Sequence, residues 1–151
     1  MTCLWFDDNA EDAVKYYLSV FKKSKRGKTA YYGKGGPGRE GSVLTIQFYL
    51  EGQEFLALNG GPAFKFSEAV SLIVNCKTQK EVDYYWEKLS RGGTKMQCGW
   101  VKDKFDFSWQ IVPEMMGDML TDKNSDRSSR VMDAMMKMNK LDIKKLKAAF
   151  D

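Results

Sequence analysis

The chain contains no histidine. That excludes imidazole general bases, Ser/His/Asp triads and histidine-based metal sites. Cysteine is scarce: Cys3, Cys76 and Cys98 are odd in number, widely spaced, and fit neither a zinc pattern nor a disulfide framework. Three free thiols suit a reducing cytoplasm, where we expect the protein to work. No stretch approaches the roughly 18 apolar residues of a membrane span, so we expect no membrane partner. No basic, apolar, small-residue leader opens the chain, and we expect it not to be secreted. A concentrated basic stripe is also missing. The net charge is +4, and the clusters Lys22-Lys23 with Lys25-Arg26, and Lys144-Lys145 with Lys147, read as solvated faces, not as a nucleic-acid footprint.

What is present points to a core. With 151 residues, 43% hydrophobic and 29% charged, the chain reads as one soluble globular domain, 1–151. It also says nearly the same thing twice. Leu4, Phe6 and Tyr16-Tyr17 recur 68 residues on as Leu72, Val74 and Tyr84-Tyr85. Each set comprises a short apolar strand, a polar cap and an amphipathic helix. The first half, 1–62, predicts a strand over 3–7 and a helix capped by Asn9, with Glu11 and Asp12 in its first turn and Gly27 as its stop. A short strand over 28–32, a glycine-rich segment over 33–41, and alternating strands over 43–50 and 55–59 follow. The glycine-rich segment lacks the spacing and Gly-Lys-Ser/Thr ending of a phosphate-binding loop, and reads as a flexible hairpin loop.

The second half, 66–113, repeats the order: a strand over 70–76, a helix capped by Thr78, and strands over 96–101 and 107–112. At an offset of 53, Leu56-Ala57-Leu58 maps onto Trp109-Gln110-Ile111, which makes Ala57 and Gln110 equivalents. The rest, 114–151, reads as a helical tail, with a short turn and then helices over 125–139 and 141–150. Its many methionines are expected to serve as adaptable core or subunit interface.

These tandem βαβββ units resemble the glyoxalase/bleomycin-resistance superfamily, the vicinal oxygen chelate fold. The segments LWFDDNAEDAVKYY, FLALNGGPAFKFSEAVSLIVNC, EVDYYWEKLSRGG, QCGWVKDKFDFSWQIVP and RVMDAMMKMNKLDI are similar to its PhnB-like, 3-demethylubiquinone 3-methyltransferase-like branch. The resemblance implies an α+β fold of two U-shaped four-stranded sheets, with ligand in the concave face, and pairing into a homodimer. Metal-using relatives keep His or Gln on the first strand of a half and Glu near the end of its last strand. Here those positions carry Cys3, Ser71, Ala57 and Gln110, which leaves one neutral amide. We therefore expect no metal and no other cofactor. The methyltransferase label finds no nucleotide-binding fingerprint in the chain.

Strand parity then selects a lining. Leu4, Phe6, Leu44, Ile46, Phe48, Leu56 and Leu58 of the first half, and Leu72, Val74, Trp109 and Ile111 of the second, are assigned to the helix side. The opposite parity leaves Cys3, Trp5, Gln47, Tyr49, Phe55, Ala57 and Asn59, with Ser71, Ile73, Ser108 and Gln110. From these, Cys3, Trp5, Gln47, Asn59 and Gln110, joined by Trp100, are the candidate ligand contacts: aromatic platforms plus neutral amides, suited to a small planar or partly apolar molecule. No residue is assigned a catalytic role. Two alternatives stay open beside small-molecule binding: an isomerase, lyase or transferase working by positioning and neutral hydrogen bonds, and a structural or interaction protein.

Overall fold

The computed structural model describes residues 1–151, which divide into two compact units, Met1–Phe66 and Ser67–Asp151. In the first, alternating apolar residues build a sheet ordered β1-β4-β3-β2, from β1 (Thr2–Phe6), β2 (Ser24–Tyr31), β3 (Val43–Leu50) and β4 (Gln53–Asn59). The β1–β4 pair is parallel and the others antiparallel. Helix α1 (Ala10–Val20) covers one face, burying Ala13, Val14 and Tyr17. Beneath it Tyr17, Phe48 and Phe55 stack in sequence, with ring centroids 6.3 and 5.3 Å apart.

That stack corrects the expected parity of β4. Phe48 pairs with Phe55, and Ile46 with Ala57. Directly opposed residues share a face, so Phe55 and Ala57 lie under the helix and are buried, while Leu56 and Leu58 face the open side. Both rows are apolar, so alternation carries no signal there. Gly27 does not end α1 either. It sits inside β2 where the pairing slips between Arg26 and Thr29, and a β-carbon there would lie 2.6 Å from Gln47 Oε1. Residues 33–41 form the β2–β3 hairpin loop, closed by Tyr32 and Ser42 backbone hydrogen bonds.

The second unit repeats the plan with β5 (Ser71–Cys76), α2 (Gln79–Ser90), β6 (Thr94–Lys95), β7 (Trp100–Lys102) and β8 (Ser108–Pro113), ordered β5-β8-β7-β6. Thr78 caps α2 through Glu81 N–H, as its sequence indicates. Val74, Val101, Trp109 and Ile111 are buried with Val82 and Leu89 of α2, which matches the expected parity. The register Leu72↔Trp109 and Ile73↔Gln110, set beside Leu4↔Ala57 and Trp5↔Leu58, shifts the internal correspondence by one residue. Gln110 is therefore the equivalent of Leu58, not of Ala57.

The tail forms α3 (Met116–Leu120), α4 (Ser125–Met136) and α5 (Ile143–Phe150). Met116, Met119, Val131, Leu141 and Leu146 make its core, against which Met135 and Met138 pack. Arg127 and Arg130 close the C-terminus of α5. Their guanidinium groups donate to the Ala149 and Phe150 carbonyls at 2.8–3.1 Å, and Arg127 stacks on the Phe150 ring. Cations at those orphan carbonyls complement the helix dipole.

Candidate functional site

On the open face of the first sheet, Trp5 is the fixed point. Its indole donates to the Gly61 carbonyl at 2.9 Å, and its ring meets Phe64 edge-on at 5.0 Å. Gly60 lies flat against it: a β-carbon at residue 60 would overlap the indole, 2.7 Å from its outer carbon. Beside Trp5, Leu58 and Leu44 complete an apolar floor. Leu44 joins them because β2–β3 pairing slips between Ala30 and Tyr31.

The wall is Tyr32 and the glycine-rich loop. Tyr32 donates its hydroxyl to the Asn59 carbonyl, and Gly38 packs against the ring so closely that a β-carbon there would fall 2.5 Å from it. Two hollows result. One of about 400 Å³ is lined by Trp5, Tyr32, Leu44, Leu58, Gly60 and Pro37 among others. The other, about 450 Å³, shares Tyr32, Pro37 and Gly60 and adds Asp7, Asp8, Arg39 and Ser42. An apolar hollow beside a charged one suits a ligand with a ring or aliphatic body and a polar end.

The six sequence-selected residues fare differently. Trp5 lines the hollow. Cys3 stands on the same face, paired with Leu56, and burial pushes its thiol above the usual range, which suppresses the nucleophilic thiolate. Gln47 shares this face but is tied down: its Oε1 accepts from Lys28 N–H at 3.2 Å, and its amide donates to Glu54. Asn59 pairs with Phe6 and so belongs to the helix side. Its Oδ1 accepts from Ala10 N–H at 2.9 Å, and its Nδ2 donates to the Val43 carbonyl at 3.1 Å. It therefore caps α1 from across the unit, the task expected of Asn9, whose side chain makes no cap bond. Asn59→Ala is expected to cost about 1–2 kcal/mol, and Asn9→Ala close to nothing, in paired urea melts.

Trp100 and Gln110 are register partners on the open face of the second sheet. Gln110 donates to Ser71 Oγ at 2.8 Å. Near them Ser108 is fully buried with no hydrogen-bond partner for its Oγ, and Lys102 pairs with Glu68, whose carboxyl is held below its usual range by that lysine.

The fold family's metal does not fit these residues. With the register corrected, the last-strand position of the first half is Leu58, which has no donor. No three His, Cys, Asp or Glu side chains come together anywhere in the chain. A hard divalent ion needs several oxygen donors, and one amide already bonded to Ser71 does not supply them.

Sequence reasoning missed Tyr32, Leu44, Leu58 and Arg39. Tyr32 was legible as a bulky residue next to glycines that leave room for its ring. Leu44 and Leu58 were hidden by a pairing slip and an apolar strand with no alternation.

The model of the family described as 3-demethylubiquinone-9 3-methyltransferase matches residues 1–112. A PhnB protein of Bacillus cereus is 34% identical, covering 75% of this chain and 97% of its own, with a TM-score of 0.68. The protein PA1353 of Pseudomonas aeruginosa (16% identity, 75% and 95% coverage, TM-score 0.62) shares the fold. So does a glyoxylase/bleomycin resistance protein/dioxygenase domain from Frankia (14%, 74% and 87%, TM-score 0.50). No curated protein matches the chain.

Proposed function

The chain belongs to the 3-demethylubiquinone-9 3-methyltransferase family, the PhnB-like proteins of the glyoxalase/bleomycin-resistance superfamily, and from that premise we propose that it binds a small, partly apolar molecule without the superfamily's metal. The observation that carries this is Trp5, an aromatic wall held rigid by Gly61 and Gly60 beside an apolar hollow of about 400 Å³. A rigid ring loses little freedom on binding, which favours affinity. The ligand's body lies against Trp5, Leu44 and Leu58, and its polar end reaches the Asp7, Asp8 and Arg39 side. In the second unit, Trp100 and Gln110 are proposed as a separate aromatic and amide contact on that sheet's own open face. Asn59 and Gln47 contribute by holding backbone in place.

The methyltransferase description of the family is not carried into this proposal. No glycine-rich nucleotide turn with an acidic ribose partner is present, and Cys3, the one thiol of the first unit, is raised in pKa, not lowered. The protein is also proposed to pair into a homodimer, on the family resemblance, and to work in the cytoplasm, on its three free cysteines. No helix is long and apolar enough to cross a membrane.

Tryptophan emission screened against a metabolite library tests the binding site. With any ligand found, Trp5→Ala is expected to weaken binding roughly 10- to 100-fold, about 1.4–2.7 kcal/mol. Leu58→Arg, which fills the hollow from its floor, should abolish binding while the circular dichroism melt stays cooperative. Unchanged affinity in a folded Leu58→Arg protein would place the ligand elsewhere.

A further inference from the structure

We propose that Ser71, Ser108 and Lys102 form an oxyanion site on the open face of the second sheet, and that it takes the carboxylate of a small aromatic acid. The inference rests on the small-molecule reading of that face and gives it a ligand class.

Its centre is an unused hydroxyl. Ser108 is fully buried, and its Oγ has no hydrogen-bond partner. A buried polar group left unpaired is costly and rare, so this one calls for a partner. Ser71 on β5 and Lys102 on β7 are its register partners, and laterally paired residues share a face. The three therefore form a row across the sheet. The next row on the same face is Ile73, Gln110 and Trp100. Ile73 is 57% exposed, so the face is open to solvent beside the Ser108 row.

Donors dominate the row. Gln110 Nε2 donates to Ser71 Oγ at 2.8 Å, which leaves the Ser71 hydroxyl proton to donate elsewhere. Lys102 brings an ammonium, and it already holds one carboxylate, that of Glu68 on the segment before β5. That carboxylate satisfies the lysine and leaves Ser108 unpaired. Glu68 is also replaceable: its side chain is 46% exposed, and ion pairs at such positions are worth little. A ligand carboxylate in its place has two oxygens, one for the ammonium and one for the hydroxyls. Its single negative charge matches the one ammonium of the row, which favours a carboxylate over a phosphate dianion. Trp100, half-buried one row along, supplies a ring for an aromatic body.

The test titrates benzoate into the full chain and follows the two-dimensional amide spectrum. Benzamide is the neutral isostere and inorganic phosphate the competing oxyanion. Benzoate should shift the Ser71, Ser108 and Lys102 amides and the Trp100 indole, and bind at least about 10-fold tighter than either control. Glu68→Gln, which removes the resident carboxylate, should tighten benzoate by roughly 3- to 10-fold. Ser108→Ala should weaken it by roughly 5- to 10-fold while the melting temperature stays level or rises, because the lost hydroxyl has no partner in the free protein. A merely structural serine would do the reverse, losing stability and leaving affinity alone. Wild-type affinity in Ser108→Ala overturns the proposal, as does benzamide or phosphate binding as tightly as benzoate. Benzoate that moves only Trp5, Gly60 and Gly61 also overturns it, yet leaves the first-unit reading standing. Benzoate at Ser71 and Ser108 with no library ligand at Trp5 supports this site and defeats that reading.

Discussion

Asp103→Ala is expected to be among the most damaging single substitutions in the second unit, lowering stability by about 3–5 kcal/mol in urea unfolding. Asp103 is 1% exposed, yet its carboxylate is fully used. Oδ1 accepts from Phe105 N–H at 2.8 Å and Phe107 N–H at 3.1 Å, and Oδ2 accepts from the Trp109 indole at 2.8 Å. This carboxylate builds the turn between β7 and β8, which includes Asp106 at a φ of 65°, and locks the largest buried side chain of the sheet. Alanine removes the acceptor of all three bonds at once, and a hydrogen bond to a charged group is worth about 1.5–3 kcal/mol. Asp103→Asn should be milder: the new carbonyl can keep the two backbone bonds, but the new amide then opposes the indole N–H. In a Trp109→Phe background that opposition is gone, so the penalty of Asp103→Asn should shrink. A double-mutant cycle reads the difference directly, and an Asp103→Ala protein as stable as wild type would refute this account of the turn.

The second large effect is expected at Gly93. A β-carbon at residue 93 would penetrate the Lys102 carbonyl oxygen and lie 2.8 Å from the Asp103 carbonyl carbon. Both atoms are backbone, at the point where β7 enters the Asp103 turn, so neither can yield as a flexible side chain would. Gly93→Ala should therefore cost about 3 kcal/mol, toward the upper end for overpacking. Gly117→Ala is the control. It lies in α3 with open space around it, and removing a helical glycine should be neutral or stabilise by up to about 1 kcal/mol. Equal melting points for Gly93→Ala and wild type would mean that the β6–β7 pair sits farther from this glycine than described.

How much of this was legible beforehand varied with the physics. The second unit was read well at β5, α2 and β8, where spacing is clean and Thr78 sits where a cap must be. The strand expected over 96–101 is instead a turn through Cys98 and Gly99, both at positive φ, between the short strands β6 and β7. The first unit defeated parity at β4, where Phe55, Leu56, Ala57 and Leu58 are all apolar and only pairing with Phe48 and Ile46 decides the face. Asn59 was chosen correctly as a residue with a task, but the task is a cap on Ala10, 49 residues away, and no local pattern encodes such a reach. Gly27 looked like a helix stop because bulges and caps use the same residue. Trp5 kept its place because β1 is short and its parity unambiguous. The missing histidine kept its weight: with register corrected, Leu58 takes the place of Ala57 among the metal positions of the fold, and the count stays at one neutral amide, Gln110.

The central claim is that Trp5 walls a binding hollow that works without a divalent ion. The most direct measurement is the two-dimensional amide spectrum of chelator-treated protein, in which the four tryptophan indole N–H groups appear as separate signals. On addition of a ligand found by the library screen, the Trp5 indole and the Gly60 and Gly61 amides are predicted to shift, with chelator still present. Shifts that appear only after a divalent ion is restored, or that leave Trp5, Gly60 and Gly61 unmoved, would contradict the account.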